Sequence, residues 1–191
     1  GMLLALGVLV ALLAAAFLLY SADYYRPDAI AREAREWALA EGLISETSRY
    51  IAVGDPEKAE MGYIFYPGGK VDAGAYLPYL LELNAYENIF CAVLKPPFRL
   101  AILDVKGADR LRQDFPGVSR WAVGGHSLGG AAACRYVENN MEDENLEGLV
   151  LLAAYSDVDR RPWRGKAHRV SGGMDRVGAR APYERGLSRL R

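Results

Sequence analysis

The chain has 191 residues, a hydrophobic content of 51% and a formal net charge of −1. This length suits one domain, and 12 tyrosines with 3 tryptophans can fill a core, which excludes a disordered or low-complexity protein. Because the net charge is close to zero, the chain has no overall positive potential that would attract nucleic-acid phosphates. We therefore expect no nucleic-acid partner. Two cysteines and two histidines are too few for a disulfide framework or a four-thiolate zinc site. We expect no metal and no cofactor, and we predict that Cys91 and Cys134 are small core residues.

An apolar segment occupies the amino end of the sequence. Met2 to Tyr20 are nineteen residues without a charged side chain, and as a helix they span about 28 Å, enough to cross a bilayer. An uncleaved membrane anchor is the preferred interpretation. The alternatives are a cleaved signal, with residues 14–16 (Ala-Ala-Ala) as its cleavage site and secretion as the result, and a buried helix.

Residues 21–47 are interpreted as a juxtamembrane spacer. A solvated helix is predicted over residues 27–41, with Pro27 in its first turn and Gly42 at its end. Three arginines in this segment favour a cytoplasmic domain by the positive-inside rule, whereas single amino-terminal anchors often hold a domain outside. The side of the membrane therefore stays open.

Residues 48–191 alternate short apolar runs with helical stretches. This alternation is typical of an α/β domain, with a mainly parallel sheet covered by helices on both faces. The predicted strands are Arg49–Val53, Gly62–Tyr66, Ile89–Leu94, Trp121–Gly124, Leu149–Ala153 and Arg169–Ser171. The predicted helices are Ala75–Ala85, Gly107–Phe115, Leu128–Asn139 and Pro182–Leu190.

The strongest motif is residues 124–130, Gly-Gly-His-Ser-Leu-Gly-Gly, between a predicted strand and an alanine-rich helix. It contains Gly-x-Ser-x-Gly, the pattern of a nucleophile elbow, in the strand-turn-helix context that the pattern requires. A serine at so sharp a turn takes strained backbone angles, so the residues two before and two after it must be nearly free of side chain. The helix start directs free N–H groups at a forming oxyanion, and that of Leu128 is the expected donor. We predict Ser127 as a nucleophile.

Glycine-rich turns also bind phosphates, but no Lys-Ser/Thr pair follows the last glycine, so a nucleotide P-loop is excluded. A second glycine pair, Gly68-Gly69, follows the strand that ends at Tyr66. Its backbone N–H groups would complete an oxyanion hole. Gly69 is the preferred donor and Lys70 its substitute, and a plain turn is the alternative.

An acidic residue follows the last predicted strand. Asp175 lies where a triad acid would orient a histidine base, and Ser127 followed by Asp175 agrees with the chain order Ser, Asp, His. An ordinary turn aspartate is the alternative interpretation. Asp157 and Asp159 are weaker candidates for the same role.

Three blocks of the sequence resemble the α/β-hydrolase superfamily: residues 65–72 (Phe-Tyr-Pro-Gly-Gly-Lys-Val-Asp), 124–130, and 172–177 (Gly-Gly-Met-Asp-Arg-Val). They are most similar to a small, lidless branch related to dienelactone hydrolases and carrying an amino-terminal membrane segment. The resemblance covers about residues 60–180. It implies a serine hydrolase with Ser127 as nucleophile, Gly69 and Leu128 as oxyanion donors and Asp175 as the acid.

The sequence departs from this pattern at the histidine, which the family places in a loop after one more strand. The chain ends at Arg191, before that strand and loop. His126 is the variable residue of the elbow and is expected to point away from the serine, and His168 lies about 20 Å of extended chain from Asp175. We expect a shortened form of a working hydrolase; the alternative is a hydrolase-like fold that lost its base.

The preferred function is a membrane-anchored serine esterase that acts on small or surface-presented esters through an acyl-enzyme. Lys70, Phe98 and His126 are expected to line the substrate site, although simple packing accounts equally well for Phe98. A noncatalytic binding module on the same fold is the second hypothesis. An acyltransferase, in which an alcohol replaces water, is the third.

Overall fold

The computed structural model of the protein describes residues 1–154, 163 and 165–170, and these contain seven strands and five α-helices. The strands are β1 (Ile44–Glu46), β2 (Tyr50–Val53), β3 (Gly62–Tyr66), β4 (Phe90–Leu94), β5 (Trp121–His126), β6 (Leu146–Leu152) and β7 (Lys166–Val170). The helices are α1 (Met2–Ala22), α2 (Ala29–Ala40), α3 (Leu77–Glu87), α4 (Gly107–Asp114) and α5 (Leu128–Asn139), and short 3₁₀ turns cover Ala73–Tyr76, Pro97–Arg99 and Ala101–Asp104.

The seven strands form one sheet in the order β1-β2-β4-β3-β5-β6-β7. β1 and β2 are antiparallel at one edge, whereas β4, β3, β5, β6 and β7 are parallel. The predicted mainly parallel α/β sheet is therefore confirmed. The chain runs outward from β3 to β4 and then crosses back to β5, so the winding direction reverses between β3 and β5. In such sheets ligands bind outside the carboxyl ends of the strands at this reversal.

Helices cover both faces of the sheet, as the near-continuous apolar strands predicted. Along β3, Ile64 and Tyr66 join the core beneath α4 and α5, whereas Tyr63 and Phe65 join the core beneath α2 and α3. This is the period-two alternation of a strand buried on both sides. The two cysteines, Cys91 and Cys134, are buried as predicted, and burial raises the pKa of the Cys91 thiol to about 12.

Helix α2 differs from the solvated spacer that the sequence predicted. Ala31, Ala34 and Ala38 form a buried stripe along it, and a stripe of small side chains lets the helix approach the layer below closely. Asp28 begins the helix, because its Oδ1 accepts the N–H of Ala31 at 2.8 Å, so the start is a side-chain cap. The expectation of a solvated helix was wrong because it took the alanines as evidence of helix propensity alone. β1, which the sequence did not predict, follows this helix and pairs with β2.

Other differences concern the ends of elements. β5 continues through Gly124 and Gly125 to His126, because both glycines pair with neighbouring strands on each side. β7 spans Lys166–Val170, not residues 169–171, so His168 lies in the middle of that strand opposite Val150. The predicted helix over 182–190 lies outside the described residues, as do Asp157, Asp159 and Asp175.

Helix α1 is the one described helix that is long and apolar enough to cross a membrane, by length and composition. It has 21 residues and a mean hydropathy of 2.9, and no part of its most apolar stretch is buried. Signal sequences share these properties. Near its carboxyl end the helix contacts the rest of the described chain, where Phe17 meets Phe98.

Candidate functional site

Ser127 occupies the tip of the turn between β5 and α5. Its backbone has φ 51° and ψ −118°, a conformation that residues with a side chain rarely adopt. Its N–H donates to the carbonyl of Leu152 at 3.0 Å, which extends the β5–β6 ladder to the serine itself. The hydroxyl is thus presented on an exposed residue at the carboxyl edge of the sheet.

The two glycines of the motif are required by close backbone contacts, as the sequence predicted. A Cβ on Gly125 would lie 2.3 Å from the carbonyl carbon of Gly129, so a side chain there would collide with the first turn of α5. A Cβ on Gly129 would lie 2.0 Å from the carbonyl oxygen of Tyr66. Gly129 therefore allows α5 to approach the end of β3, which brings the loop after β3 to the serine turn.

That loop places Gly69 against the residue that follows the serine. A Cβ on Gly69 would lie 3.1 Å from Cδ2 of Leu128. Within the described part of the chain, neither the N–H of Gly69 nor that of Leu128 has a hydrogen-bond partner. The N–H of Lys70, the substitute donor considered from the sequence, donates to the carbonyl of Arg99 at 2.9 Å. Gly69, not Lys70, has the N–H available to a ligand.

Tyr76 connects this loop to the elbow, a role that no sequence motif indicated. Its phenol oxygen accepts the N–H of Gly68 at 2.9 Å and lies 3.1 Å from Nδ1 of His126. Burial raises the pKa of Tyr76, and burial lowers the pKa of His126 below its ordinary value. Both shifts favour the neutral forms, and the tautomer of the imidazole decides which of the two groups donates. His126 thus packs against the loop after β3, near Gly68 and Tyr76.

Strained backbone is concentrated at this edge of the sheet. Six non-glycine residues in the described ranges have positive φ, and five of them follow the carboxyl ends of strands. These five are Lys70, Phe98, Arg99, Ser127 and Ala153. Conformations of this kind cost of order 1–3 kcal/mol each and accumulate at functional sites. Most of the strained residues therefore lie at the same edge of the sheet as Ser127.

The predicted substrate-lining residues Lys70 and Phe98 both contact the segment that follows the apolar helix. Nζ of Lys70 lies 3.3 Å from Oδ2 of Asp23 and 4.1 Å from the centre of the Tyr20 ring. The ring of Phe98 packs edge-on against Phe17 at 5.0 Å. Both side chains thus have partners within the chain.

Two surface clefts among the described residues lie elsewhere. One is lined by residues that include Met61, Arg120 and Lys166, and the other by residues that include Val118 and Asn145. These residues precede or begin strands, so both clefts open at the amino ends of the sheet. The serine turn lies at the opposite end, and neither cleft belongs to it.

Comparison with known proteins identifies one family. The model of the alpha/beta hydrolase family matches residues 62–187. No curated protein matches the chain.

Solved structures with similar folds include a hormone-sensitive lipase from a metagenome library (16% identity, TM-score 0.44, 57% of this chain and 41% of that one). An esterase from Pyrobaculum calidifontis aligns with 15% identity and a TM-score of 0.42 over 54% of this chain and 39% of that one. Esterase LipW from Mycobacterium marinum aligns with 17% identity and a TM-score of 0.43 over 64% and 48%. The chain thus spans less than half the length of each of these three structures.

Proposed function

The chain belongs to the alpha/beta hydrolase family, and from this membership we propose that it is a serine hydrolase that cleaves carboxylic esters with Ser127 as nucleophile. The observation that carries the proposal is the strained backbone of Ser127, with φ 51°, at a turn whose neighbouring glycines leave no room for side chains. This strain holds a hydroxyl exposed at the point where the winding of the sheet reverses. Such a position suits attack on a bound carbonyl.

Two backbone N–H groups would stabilise the charge that develops during this attack. The N–H of Leu128 is at the amino end of α5, where the helix dipole is positive. The N–H of Gly69 comes from the loop that packs on Leu128. Donors placed in advance at the position of an oxyanion lower the barrier because they need no reorganisation during the reaction.

The proposed mechanism also requires an acid and a base. We propose Asp175, outside the described residues, as the acid that orients a histidine. Of the histidines in this sequence, His126 is bound to Tyr76 and His168 lies within β7. A serine without a base is a weak nucleophile near neutral pH, so we expect this chain to react several orders of magnitude more slowly than a complete triad.

A noncatalytic binding module is the second candidate function. It is favoured by one observation: no side chain in the described ranges hydrogen-bonds to the Ser127 hydroxyl. A module of this kind would use the exposed turn and the two N–H groups to hold an anion or carbonyl without cleaving it.

Hydrolysis of short-chain p-nitrophenyl esters separates the two functions. Wild type is compared with Ser127→Ala and with Ser119→Ala, which removes an exposed serine before β5 as the matched control. We expect Ser119→Ala to retain the wild-type rate and Ser127→Ala to lose the enzymatic rate. Equal rates for wild type and Ser127→Ala would overturn the hydrolase proposal in favour of the binding module. A fluorophosphonate probe measures the base separately, since labelling of Ser127 at rates typical of esterases requires an activated hydroxyl.

We also propose that α1 is an uncleaved membrane anchor. Its length matches the thickness of the hydrocarbon core of a bilayer. Residues 2–16 of the helix are all exposed, and a bilayer would cover their apolar side chains. Mass spectrometry of the protein isolated from cell membranes tests this proposal. A mature chain that retains residues 2–16 supports it, and one that begins near Phe17 supports signal cleavage instead.

A further inference from the structure

An exposed apolar surface lies beside the serine turn. It consists of Phe98, Ile102 and Leu103, whose exposed fractions are 44%, 47% and 55%, and we call it the apolar rim. These residues belong to the chain after β4, so they lie at the carboxyl edge of the sheet with Ser127. The 3₁₀ turn that carries Ile102 and Leu103 packs against α5, the helix that begins directly after the serine. The apolar rim thus borders the candidate site.

The apolar rim is joined to α1 by direct contacts. The Phe98 ring packs on Phe17 of the helix at 5.0 Å. Beside it, the guanidinium of Arg99 lies 3.4 Å from the centre of the Tyr24 ring. These contacts place the end of the helix and the rim side by side at one end of the molecule.

Backbone hydrogen bonds fix this arrangement further. The N–H of Tyr25 donates to the carbonyl of Lys70 at 2.7 Å, and the N–H of Asp72 donates to the carbonyl of Tyr25 at 2.9 Å. The segment after α1 is therefore paired with the loop that holds Gly69. A flexible tether would let the domain rotate freely beneath the membrane, whereas this pairing holds one face toward it.

The position of Phe17 along α1 determines how deep the apolar rim would lie in a bilayer. Asp23 is the first charged residue after the helix, and Phe17 precedes it by six residues, or about 9 Å along the axis. With α1 across a bilayer, Phe17 lies within the apolar layer and Tyr20 near its boundary, where tyrosine is favoured. Phe98 contacts Phe17 and must lie at a similar depth.

We propose that the apolar rim docks on the lipid bilayer beside α1, and that the substrate of Ser127 is an amphiphilic ester held in that bilayer. The substrate half of this proposal rests on the proposed hydrolase function, and the docking half rests on the proposed membrane anchor α1. Docking removes three apolar side chains from water and presents the carboxyl edge of the sheet to the lipid. An ester whose acyl chain stays in the bilayer would then reach the serine without crossing water.

Fluorescence in lipid vesicles tests the docking half without reference to activity. The full chain is reconstituted into phosphatidylcholine vesicles with a polarity-sensitive fluorophore on Ile102→Cys, and separately on Tyr86→Cys. Tyr86 is 63% exposed near the carboxyl end of α3, at the opposite edge of the sheet. The native cysteines are buried, so the new thiol is the one labelled. We expect blue-shifted emission, quenched by doxyl-labelled lipid, at position 102 and not at 86. Equal emission and quenching at both positions would overturn the docking proposal.

The substrate half is tested by a ratio of rates. Hydrolysis of p-nitrophenyl palmitate in the vesicles is divided by hydrolysis of p-nitrophenyl acetate in water, for wild type, for Ile102→Asp with Leu103→Asp, and for Tyr86→Asp. We expect the ratio to fall at least tenfold in the double variant and to stay constant in Tyr86→Asp. An unchanged ratio in the double variant would overturn the substrate proposal. Acetate hydrolysis that is equal in wild type and Ser127→Ala would instead overturn the hydrolase function and leave the fluorescence result standing.

Discussion

The phenol oxygen of Tyr76 lies 3.1 Å from Nδ1 of His126 and accepts the N–H of Gly68 at 2.9 Å. One side chain thus connects the strand that ends at the serine with the loop that supplies Gly69. Gly68 is buried, so its N–H has no access to water as a substitute partner. The orientation of the next peptide, whose N–H belongs to Gly69, depends on this hydrogen bond.

Tyr76→Phe should disturb both stability and reactivity. A buried N–H left without an acceptor costs about 1–3 kcal/mol, and the peptide that carries the Gly69 N–H loses the hydrogen bond that orients it. We expect a lower unfolding free energy in urea and several-fold slower labelling of Ser127 by a fluorophosphonate.

Tyr79→Phe is the matched control for this variant. It removes a hydroxyl that donates to Tyr63 at 3.4 Å, within the same layer but away from the loop. Labelling should stay at the wild-type rate. A labelling rate that falls equally in both variants would contradict a positioning role for Tyr76.

The stability of the protein should depend on pH through His126. Burial lowers its pKa from the ordinary value of 6.5, so the unfolded state binds the proton more tightly than the folded state. The stabilisation is present above pH 6.5 and is lost as the pH falls through the lowered pKa. A protonated imidazole has no acceptor nitrogen, so the Tyr76 hydroxyl cannot donate to it.

His126→Asn should reduce this dependence. The asparagine amide oxygen accepts a hydrogen bond at any pH in this range, and it carries no titrating proton. We expect the difference in unfolding free energy between pH 7.5 and pH 5.5 to be smaller in the variant than in wild type. The prediction fails if urea titrations at the two pH values give the same difference for both proteins.

The backbone strain at Ser127 should lower the unfolding free energy by a measurable amount. Ser127→Gly removes the Cβ from a residue with φ 51° and should raise the unfolding free energy by about 1 kcal/mol. Ser127→Ala keeps the Cβ and the strain, so it should unfold like wild type although neither variant can be labelled. A glycine variant that is no more stable than the alanine variant would show that this backbone conformation is not strained.

Gly129→Ala should prevent the approach of α5 to β3. The added Cβ would lie 2.0 Å from the Tyr66 carbonyl oxygen, and overpacking against backbone costs about 1–3 kcal/mol or more. Thermal unfolding should show a clear loss of stability.

Gly117→Ala is the control for this change. Its nearest neighbour would be Oε1 of Glu57 at 3.6 Å, an ordinary contact at the surface. We expect an effect within about 0.5 kcal/mol. Equal destabilisation by the two substitutions would contradict the steric account of Gly129.

Much of the fold could be predicted from local patterns. β3 and α5 have the predicted bounds, because apolar runs and an alanine-rich stretch next to glycines specify strand and helix without distant partners. Helix α2 was misinterpreted, since the burial of Ala34 and Ala38 depends on the layer that they meet. β1 was missed because a strand of three residues is too short to show a clear hydrophobic pattern. Its pairing with β2 defines it as a strand.

The sequence by itself determined the candidate nucleophile and its setting. Gly-x-Ser-x-Gly between a strand and a helix is a local pattern, since the strain at the turn and the need for Gly125 arise within five residues, whereas the need for Gly129 comes from the Tyr66 carbonyl. The apolar composition of α1 is likewise readable without any contact. Tertiary structure alone decided that Tyr76 supports the loop of Gly69, that the Lys70 N–H is occupied by Arg99, and that Phe98 meets Phe17. These three relationships join segments distant in the chain, and they arise only when the strands are ordered in the sheet and the segment after α1 pairs with the loop after β3.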